Sequence, residues 1–562
     1  MKYSVFPCIC FVLLAVFCFL VFEPVYNGVD DRLYIDYTRS IVEDGDFNVA
    51  NQMYAPGAAC ELSPTFNVPD FHNHGGIVIW TPFYLYGKLV FRMLRVMGVP
   101  AAIRVDEAYV TGLSWVFSTV VFALGVLLIS FLVLRRFFNT GISCISLGAL
   151  FFGTPFFYYV LYQNGNANIA AAFFCAVMVW FAVSIMEFKR SHLALLGLFF
   201  SVCICVKVDL WFTIFFIVPY LVFKALEEKG RPADLYIFFV CLIPAVLLKG
   251  MNDYLKYGML FSGEFSMFNP HRFFFWEQVI SPYHGFVYTS PILAVPVLGL
   301  FFSAWGVAQR RTSAAAPFSR DAVLVFLSLY LIAKVYLISF RFAWGGGTVG
   351  ARILLSEFIV LSLLCARAFT LRSRVARIVL YASFVSIVWN MIVVGEFITG
   401  ADMSLLTAPV PLSSRFKSLA IVARYVLSVK EPVDKLIFLS PLILIAVLTF
   451  AFERKLICGL RRRWKGDPES FIRTVGFRYF RAFTLYSFLL YVSFSGLNLA
   501  FNRSNVERMH RTGFFENCTV VGKKGFTFRE NDLSLDEMIY YYGIRNIPDA
   551  IERLIKIKES LR

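Results

Sequence analysis

Charged residues are scarce in this chain: Asp, Glu, Lys and Arg make up 16% of its 562 residues, whereas 59% are hydrophobic. A soluble globular protein has about 25% charged residues, so that class is excluded. Uninterrupted apolar segments of roughly 20 residues, the length a helix needs to cross a bilayer, recur from end to end. Short segments of alternating polarity, which are typical of a transmembrane barrel, are lacking. The sequence therefore predicts an all-α polytopic membrane protein.

Positive charge is in excess, with a formal net charge of +16, but it is not arranged as on a nucleic-acid-binding protein. Lys and Arg gather in short clusters at the ends of apolar segments, which is the pattern of cytoplasmic loops. We therefore expect membrane lipids around the chain and no nucleic acid. The sequence also lacks an internal repeat of the kind that marks many transporters.

The positions of the basic clusters predict the topology. The first apolar segment, 3–22, is interpreted as an uncleaved helix whose N-terminus is cytoplasmic. If 77–97 is an interfacial helix in the outer leaflet, the Arg135–Arg136 pair and every later basic cluster lie on the cytoplasmic side. Thirteen spans are then predicted: 3–22, 109–134, 141–160, 166–187, 193–207, 209–224, 235–250, 291–309, 322–340, 351–371, 378–395, 435–452 and 480–500. The two short spans on either side of Lys207 leave this count open by two.

This topology divides the chain into a transmembrane domain, 1–500, and a small extracytoplasmic C-terminal segment, 501–562, predicted to form an α+β unit. The first outer loop is 24–108. Most of the twelve Cys lie in apolar segments, where a buried Cys behaves as a small hydrophobe. Cys60 and Cys518 are the two in segments predicted to lie outside, so a disulfide between them is an alternative to free thiols.

Two adjacent carboxylates are the first candidates for chemistry. Asp30 and Asp31 begin a predicted short helix that extends to Glu43. Acidic residues at a helix start are good caps and interact favourably with the helix dipole. Alternatively, a carboxylate just above the bilayer can take the proton from an attacking hydroxyl. Asp106 and Glu107 form a second acidic motif in the same loop; capping of the next span explains it, and it is the second choice for the site.

Four patches far apart in the sequence occur in the order known from one family. They are Val29–Tyr34 with Ser40–Asp46, His74–Ile77 with Trp80–Tyr84, Asn252–Gly258 with Ser281–Gly285, and Trp344–Arg352. In this order they resemble the GT-C superfamily of membrane glycosyltransferases. Its members use polyprenyl-phosphate sugars and include the protein mannosyltransferases and the aminoarabinose transferase of lipid A. Val78 and Ile79 replace the usual Pro-Leu, and Asp31 replaces a commoner Glu; the resemblance covers residues 1–370.

The resemblance implies a GT-C fold with the thirteen spans given above and interfacial helices in the first outer loop. It implies inverting transfer of a sugar from a polyprenyl-phosphate donor to a lipid, glycan or protein acceptor of the cell envelope. The protein would lie in the inner (cytoplasmic) membrane, with its active site on the extracytoplasmic face. Asp30 would be the general base and Asp31 its support. Arg352 would bind the donor phosphate, because a guanidinium offers permanently charged, bidentate contacts.

Further roles follow from the same resemblance. Lys334, in the middle of an apolar segment, is costly unless paired; it either faces the donor phosphate or reaches toward the outer surface. Candidate substrate-binding residues are Tyr34, His74, Asn252, Glu264 and Trp344. Metal use varies within the superfamily, so a divalent ion stays open; its candidate ligands are Asp30, Asp31, His72 and His74.

Two other interpretations fit parts of the pattern. A lipid or solute transporter, including a flippase for a polyprenyl-linked sugar, would place ionisable residues along a path through the membrane. A non-catalytic GT-C-like scaffold would keep the motifs without the chemistry, and the Asp31 departure leaves this open. For Arg352, the alternative to a phosphate contact is a cation that reaches the membrane interface along its aliphatic stem. The concentration of carboxylates, His and Arg in outer loops favours the enzyme.

Overall fold

The structure is a computed structural model that describes most of the transmembrane region. The described residues are 29–56, 58, 60–63, 65, 67–68, 74–98, 106–161, 165, 167–258, 260, 273–280, 285–310, 320–340, 352–371, 373–398 and 468–520. The predicted spans 3–22 and 435–452 lie outside these residues. So do three candidate site residues, His72, Glu264 and Trp344.

The described chain is built almost entirely from helices, as expected where the lipid offers no partners for backbone polar groups. In chain order the α-helices are α1 (Val29–Glu43), α2 (Ala50–Met53), α3 (His74–Val96), α4 (Glu107–Phe137), α5 (Thr140–Gly153), α6 (Phe156–Leu161), α7 (Ala167–Trp180), α8 (Arg190–Val206), α9 (Ile214–Glu227), α10 (Tyr236–Tyr257), α11 (Phe275–Ile280), α12 (Phe286–Thr289), α13 (Ala294–Arg310), α14 (Arg320–Ile338), α15 (Phe358–Phe369), α16 (Ser373–Ile398) and α17 (Pro468–Arg511). Short 3₁₀ segments Val208–Thr213, Pro232–Leu235, Pro291–Leu293 and Arg352–Glu357 precede α9, α10, α13 and α15, and a π segment, Phe181–Ile185, extends α7.

The helices confirm a polytopic membrane protein. Among the described residues, nine helical stretches are long and apolar enough to cross a membrane: Gly75–Val96, Glu107–Phe137, Ala167–Ile185, Val208–Glu227, Pro232–Lys256, Pro291–Gln309, Arg320–Ile338, Arg374–Val394 and Thr474–Arg511. The shorter apolar helices α5 and α8 occupy two further predicted spans. Every predicted span within the described residues therefore coincides with a helix, whereas the total of thirteen stays a prediction.

Helix α3 packs against the first half of α4, from Glu107 to about Phe122. The ring centroids of Trp80 and Trp115 are 5.3 Å apart. Gly87 approaches α4 so closely that a Cβ there would lie 2.7 Å from the Cα of Thr111. Both α4 residues belong to the half that begins at Glu107. By length and composition α3 also qualifies as a span, so its interfacial placement, which these neighbours favour, stays a prediction.

The basic clusters gather at one end of the helix bundle. Arg136 donates to the carbonyl of Ser184 at 2.8 Å, and the guanidinium of Arg320 lies 5.3 Å from the ring centre of Phe138. Ion pairs at this end include Arg190 with Asp234 at 3.1 Å and Arg367 with Asp321 at 3.0 Å. We call this the basic end; the predicted topology assigns it to the cytoplasm.

The opposite end carries a folded cap, which we define as α1, the described residues of 44–68, and α17 from Ser495 to Arg511. Helix α17 has 44 residues, or about 66 Å at 1.5 Å per residue, roughly twice the hydrocarbon thickness. It packs against the π segment near the basic end, where a Cβ on Gly476 would lie 2.6 Å from Ile185. It then continues through residue 500 into the cap without a break.

A disulfide between Cys60 and Cys518 closes the cap. The two cysteines begin the short strands β1 (Cys60–Leu62) and β2 (Cys518–Val520), which pair in parallel with Cys60 opposite Cys518. The disulfide considered from the sequence is therefore present. The predicted boundary at residue 500 and the α+β character of 501–562 stay predictions, because the description ends at residue 520.

Candidate active site

The first turns of α1 and α3 lie at the same end of a shared packing interface. Asp30 and Asp31 are in the first turn of α1, as predicted; their side chains are outside the described part of the structure. One turn later, Tyr34 is buried and packs edge-on against Trp80 of α3, with ring centroids 4.7 Å apart. Glu43 at the other end of α1 accepts hydrogen bonds from Tyr84 of the same helix α3 at 3.1 Å. The helices therefore run in the same direction, and their N-termini are on the same side.

The two glycines that open α3 allow it to touch the end of α8. A Cβ on Gly75 would lie 2.2 Å from the backbone carbonyl carbon of Cys205, a distance that no side chain tolerates. A Cβ on Gly76 would lie 3.2 Å from the ring of Trp80. The motif His74-Gly75-Gly76 is thus explained locally by close backbone approach. The side chain of His74 is outside the described part.

Just beyond this contact, the turn between α8 and α9 holds a buried ion pair. The Nζ of Lys207 lies 2.7 Å from the carboxylate of Asp209 and 2.5 Å from the amide oxygen of Asn168 in the first turn of α7. In the sequence, Lys207 served only to separate two short predicted spans. An acid and a base two residues apart at the end of an apolar helix were the available signal, since intramembrane charges are retained when they pair.

Lys334 belongs to a second, completely buried cluster. Its Nζ lies 2.6 Å from Oε1 of Glu357 and 2.8 Å from Oγ of Ser356. The hydroxyl of Tyr330, one helical turn away, donates to the same Oε1. All of the ionic atoms are 0% exposed. Lys334 is therefore paired, which removes the cost expected for a lone buried cation, and its predicted contact with the donor phosphate stays a prediction.

Glu357 is a residue that sequence reasoning missed. It ends the 3₁₀ segment that Arg352 begins, inside the predicted span 351–371. A carboxylate in an apolar segment is the signal that pointed to it, because such groups are expensive in a membrane. Its second oxygen, Oε2, is buried and has no hydrogen-bond partner among the described residues.

Arg352 begins the 3₁₀ segment that ends at Glu357. It is half-buried, and the 3₁₀ segment that it opens packs against α7, the helix that carries Asn168. The same segment lines a small apolar crevice. Its walls are Leu150, Thr154, Pro155, Leu293, Leu354, Leu355, Phe358 and Leu361. The residues that follow Arg352 in the chain therefore belong to an apolar wall.

Two other candidate residues have visible structural roles. The amide of Asn252 is 1% exposed; it donates to Ser495 at 3.0 Å and accepts from Asn498 at 2.9 Å. Asp106 caps α4, since its carboxylate accepts from the backbone N–H of Tyr109 at 2.7 Å. The contacts of Asn252 join the cap to the bundle. The contact of Asp106 caps the start of α4, which supports the capping explanation of the second acidic motif.

A row of charged residues follows one face of α1. The carboxylate of Glu43 forms ion pairs with the Nζ of Lys88 at 2.9 Å and with the Nε of Arg39 at 3.0 Å. Two turns earlier along this helix, burial raises the pKa of Asp36 to about 6, against the opposing influence of Arg39 and Arg32. Asp36 was not among the predicted site residues, although its spacing from Glu43 places it on the same helical face.

The donor set for a metal ion is not visible in the described residues. No group of three or more His, Cys, Asp and Glu side chains lies close enough there to hold one. The candidate ligands proposed from the sequence are His72, which lies outside the described residues, and Asp30, Asp31 and His74, whose side chains are not described. The involvement of an ion therefore stays open.

With this geometry established, the chain was compared with known proteins. No protein-family model matches it, and neither a curated protein nor a solved structure is significantly similar. The assignment of a function therefore depends on the residues themselves.

Proposed function

We propose that this protein is an integral-membrane glycosyltransferase that transfers a sugar from a polyprenyl-phosphate donor to a cell-envelope acceptor. The observation that carries the proposal is that two of the four motif patches pack against each other. The first turn of α1, with Asp30 and Asp31, lies beside the start of α3, and the start of α3 touches the end of α8. These segments are distant in the sequence, yet the packing brings them to the end of the bundle opposite the basic clusters.

The proposed reaction uses a carboxylate at the start of α1. The acceptor hydroxyl attacks the anomeric carbon of the sugar, Asp30 takes its proton, and the lipid phosphate leaves with inversion at the anomeric carbon. Asp31 supports the base. Burial of Tyr34 against Trp80 fixes the first turn of α1, and a general base must be held within hydrogen-bond reach of the proton that it removes.

The donor phosphate is assigned to Arg352 in the first place. Lys334 already has a counter-ion, because its Nζ lies 2.6 Å from Glu357, and the guanidinium of Arg352 is the group suited to bidentate contacts with phosphate oxygens. Leu354 and Leu355 follow Arg352 in the chain and belong to an apolar wall. A phosphate bound to Arg352 would therefore have apolar side chains beside it.

The test is a transfer assay in lipid nanodiscs with a panel of radiolabelled polyprenyl-phosphate sugars and envelope extract as acceptor. Asp30→Asn is expected to reduce the transfer rate by about 10²–10⁴-fold, the usual contribution of a general base, with donor still bound. Arg352→Ala is expected to weaken donor binding. Asp106→Asn is the matched control, since it alters an acidic helix start whose carboxylate has a visible capping role, and we expect it to keep the transfer rate. Full transfer by Asp30→Asn, or no donor binding by any form, would contradict the proposal.

A transporter or flippase for the same lipid is the second candidate. The observation in its favour is the pair of buried ion pairs, Lys207 with Asp209 and Lys334 with Glu357, because ionisable residues inside a membrane often mark a transport path. Movement of labelled donor across a vesicle bilayer without sugar transfer would support this function. Donor binding with neither movement nor transfer would support a non-catalytic scaffold.

A further inference from the structure

A polar stripe on α17 faces the first outer loop. Ser495, Asn498, Asn502 and Asn505 are spaced by three or four residues and therefore lie on one face of the helix. All four are buried. Asn498 donates to Asn252 and accepts from the backbone N–H of Phe47, and Asn252 donates to Ser495. Asn502 donates to Asn67, and Asn505 donates to the carbonyl of Asp44 and to the carboxylate of Asp46. All six distances lie between 2.8 and 3.0 Å.

This asparagine stripe reaches α1 through one carboxylate. Asp46 accepts from Asn505 at 2.8 Å and from the hydroxyl of Ser40, in the last turns of α1, at 2.9 Å. On the other side of α1, the hydroxyl of Thr38 accepts from the indole N–H of Trp115 at 3.2 Å. The helix that carries Asp30 is therefore held between α4 and the far end of α17.

The disulfide joins the same two parts of the chain covalently. Cys60 and Cys518 are 458 residues apart in sequence. The free cysteines of the described chain are Cys144, Cys175, Cys203, Cys205, Cys241 and Cys365, all within apolar helices. Among the cysteines of the described chain, Cys60 and Cys518 are thus the pair that forms a disulfide, and disulfides of this kind persist in oxidising compartments.

We infer that the cap is a latch closed by oxidation. Cys60 and Cys518 lie on the oxidising, extracytoplasmic side, and their disulfide forms after α17 has inserted, fixing α1 in its working position. The two thiols lose two protons and two electrons as the S–S bond forms, and the disulfide of a thiol–disulfide exchange protein is reduced to a dithiol. The positioning of Asp30 rests on the proposed function, whereas the latch and its compartment do not.

The closed cap depends more on the Cys60–Cys518 disulfide than on its hydrogen bonds. Each neutral hydrogen bond adds little net stability, because water offers the same partners to an open cap. A pair of strands with three residues each is marginal on its own. Closure also has to bring together residues from opposite ends of a long chain, which costs conformational entropy. The disulfide removes that cost from every later opening of the cap.

The side of the membrane can be tested without any activity. Sealed cells that express Cys518→Ser are treated with a membrane-impermeant maleimide, and the double variant Cys60→Ser/Cys518→Ser is the matched control for other thiols. We expect labelling of Cys518→Ser above the double variant in sealed cells, and labelling of the wild type only after reduction. Labelling that requires permeabilised cells, or equal labelling of unreduced wild type, would overturn the latch.

The positioning role has two measurements. In nanodiscs, hydrogen exchange of the amides of 29–43 is expected to be faster in the double variant than in the wild type, and unchanged in Cys144→Ser, which removes a free thiol from α5. In the transfer assay, the double variant is expected to lose about tenfold or more in kcat with unchanged donor affinity, because a small displacement of a catalytic group is costly. Unchanged exchange would refute positioning, even if the wild type proved inactive; unchanged kcat in an active protein would refute its link to Asp30.

Discussion

The two ends of the bundle are held together in different ways. At the basic end, arginines form ion pairs with carboxylates, as Arg190 does with Asp234 and Arg367 with Asp321. In the cap, neutral amides connect several segments at once, and a disulfide adds a covalent tie. An exposed ion pair such as Arg190 with Asp234 contributes little, and the buried Asp321 is shared by Arg367 and Arg320, whereas amide networks require fixed directions. The cap is therefore the end built for geometric definition, as a reaction site demands.

The largest effect is expected on the side of the bundle that faces the cap, at the buried ion pair of Lys334 in α14 with Glu357. Lys334→Met removes the cation that pairs with Glu357 and leaves this carboxylate buried away from water. Loss of one partner of a buried ion pair lowers the free energy of unfolding by about 3–5 kcal/mol. We expect a large decrease in the unfolding temperature in detergent. The double variant Lys334→Met/Glu357→Leu is expected to recover most of it, since apolar replacements of both partners are often neutral. A single variant as stable as the double would show that the pair is not buried.

The next effect concerns the contact between α3 and α8. In Gly75→Ala the new Cβ would lie 2.2 Å from the backbone carbonyl carbon of Cys205. Overpacking of this kind lowers the free energy of unfolding by about 3 kcal/mol. Gly148→Ala is the control, because a Cβ there meets nothing within 4 Å and alanine is favoured in a helix by about 0.5–1 kcal/mol. Thermal unfolding of both variants measures the difference. Equal stability would contradict the close approach of α3.

At the basic end we expect a smaller effect without a functional consequence. Asp321→Asn weakens the contacts of one acid with Arg367 and Arg320 and should cost about 1.5 kcal/mol, as for a hydrogen bond to a charged group. The rate of sugar transfer per folded molecule should not change. Comparison of this rate with that of Asp30→Asn checks whether the two ends differ in function, and an equal loss in both would remove the distinction.

The last effect is a pH dependence that originates in α1. The pKa of Asp36 is about 6 in the folded chain against an ordinary value of 3.8, so the folded state binds more protons between these values. The resulting stabilisation is complete below pH 3.8 and is lost as the pH rises through 6. Asp36→Asn should therefore flatten the decline of unfolding temperature over this interval. Parallel curves for the wild type and the variant would exclude this contribution.

Much of the membrane architecture could be predicted from the sequence because lipid imposes a simple rule on helix length and polarity. Each predicted span in the described residues coincides with a helix, and the topology singled out Cys60 and Cys518 as the two cysteines able to pair. Because spans were predicted from length and average polarity, the polar contacts inside them were missed. Glu357 was counted within an apolar span, where window hydropathy outweighs one carboxylate.

The asparagine stripe was missed for a different reason. The last span was predicted to end at residue 500, which separated Asn498 from Asn502 and Asn505 and removed their helical spacing from view. The role of Asn252 depends on Asn498, 246 residues away, and a pairing at that distance has no local signal. The segment His74–Ile77 was noted for its resemblance to the GT-C pattern, but only the packing against Cys205 gives the physical reason for Gly75.

The disulfide also makes the molecule a covalent ring. The chain from Cys60 to Cys518 leaves the cap, passes through the described bundle and returns to the cap, where the S–S bond closes the circuit. A single proteolytic cut in any loop of this circuit would leave one linked molecule until a reductant is added. The protein can therefore be nicked, or assembled from two separately made pieces, and still keep both ends of its chain in one covalent unit.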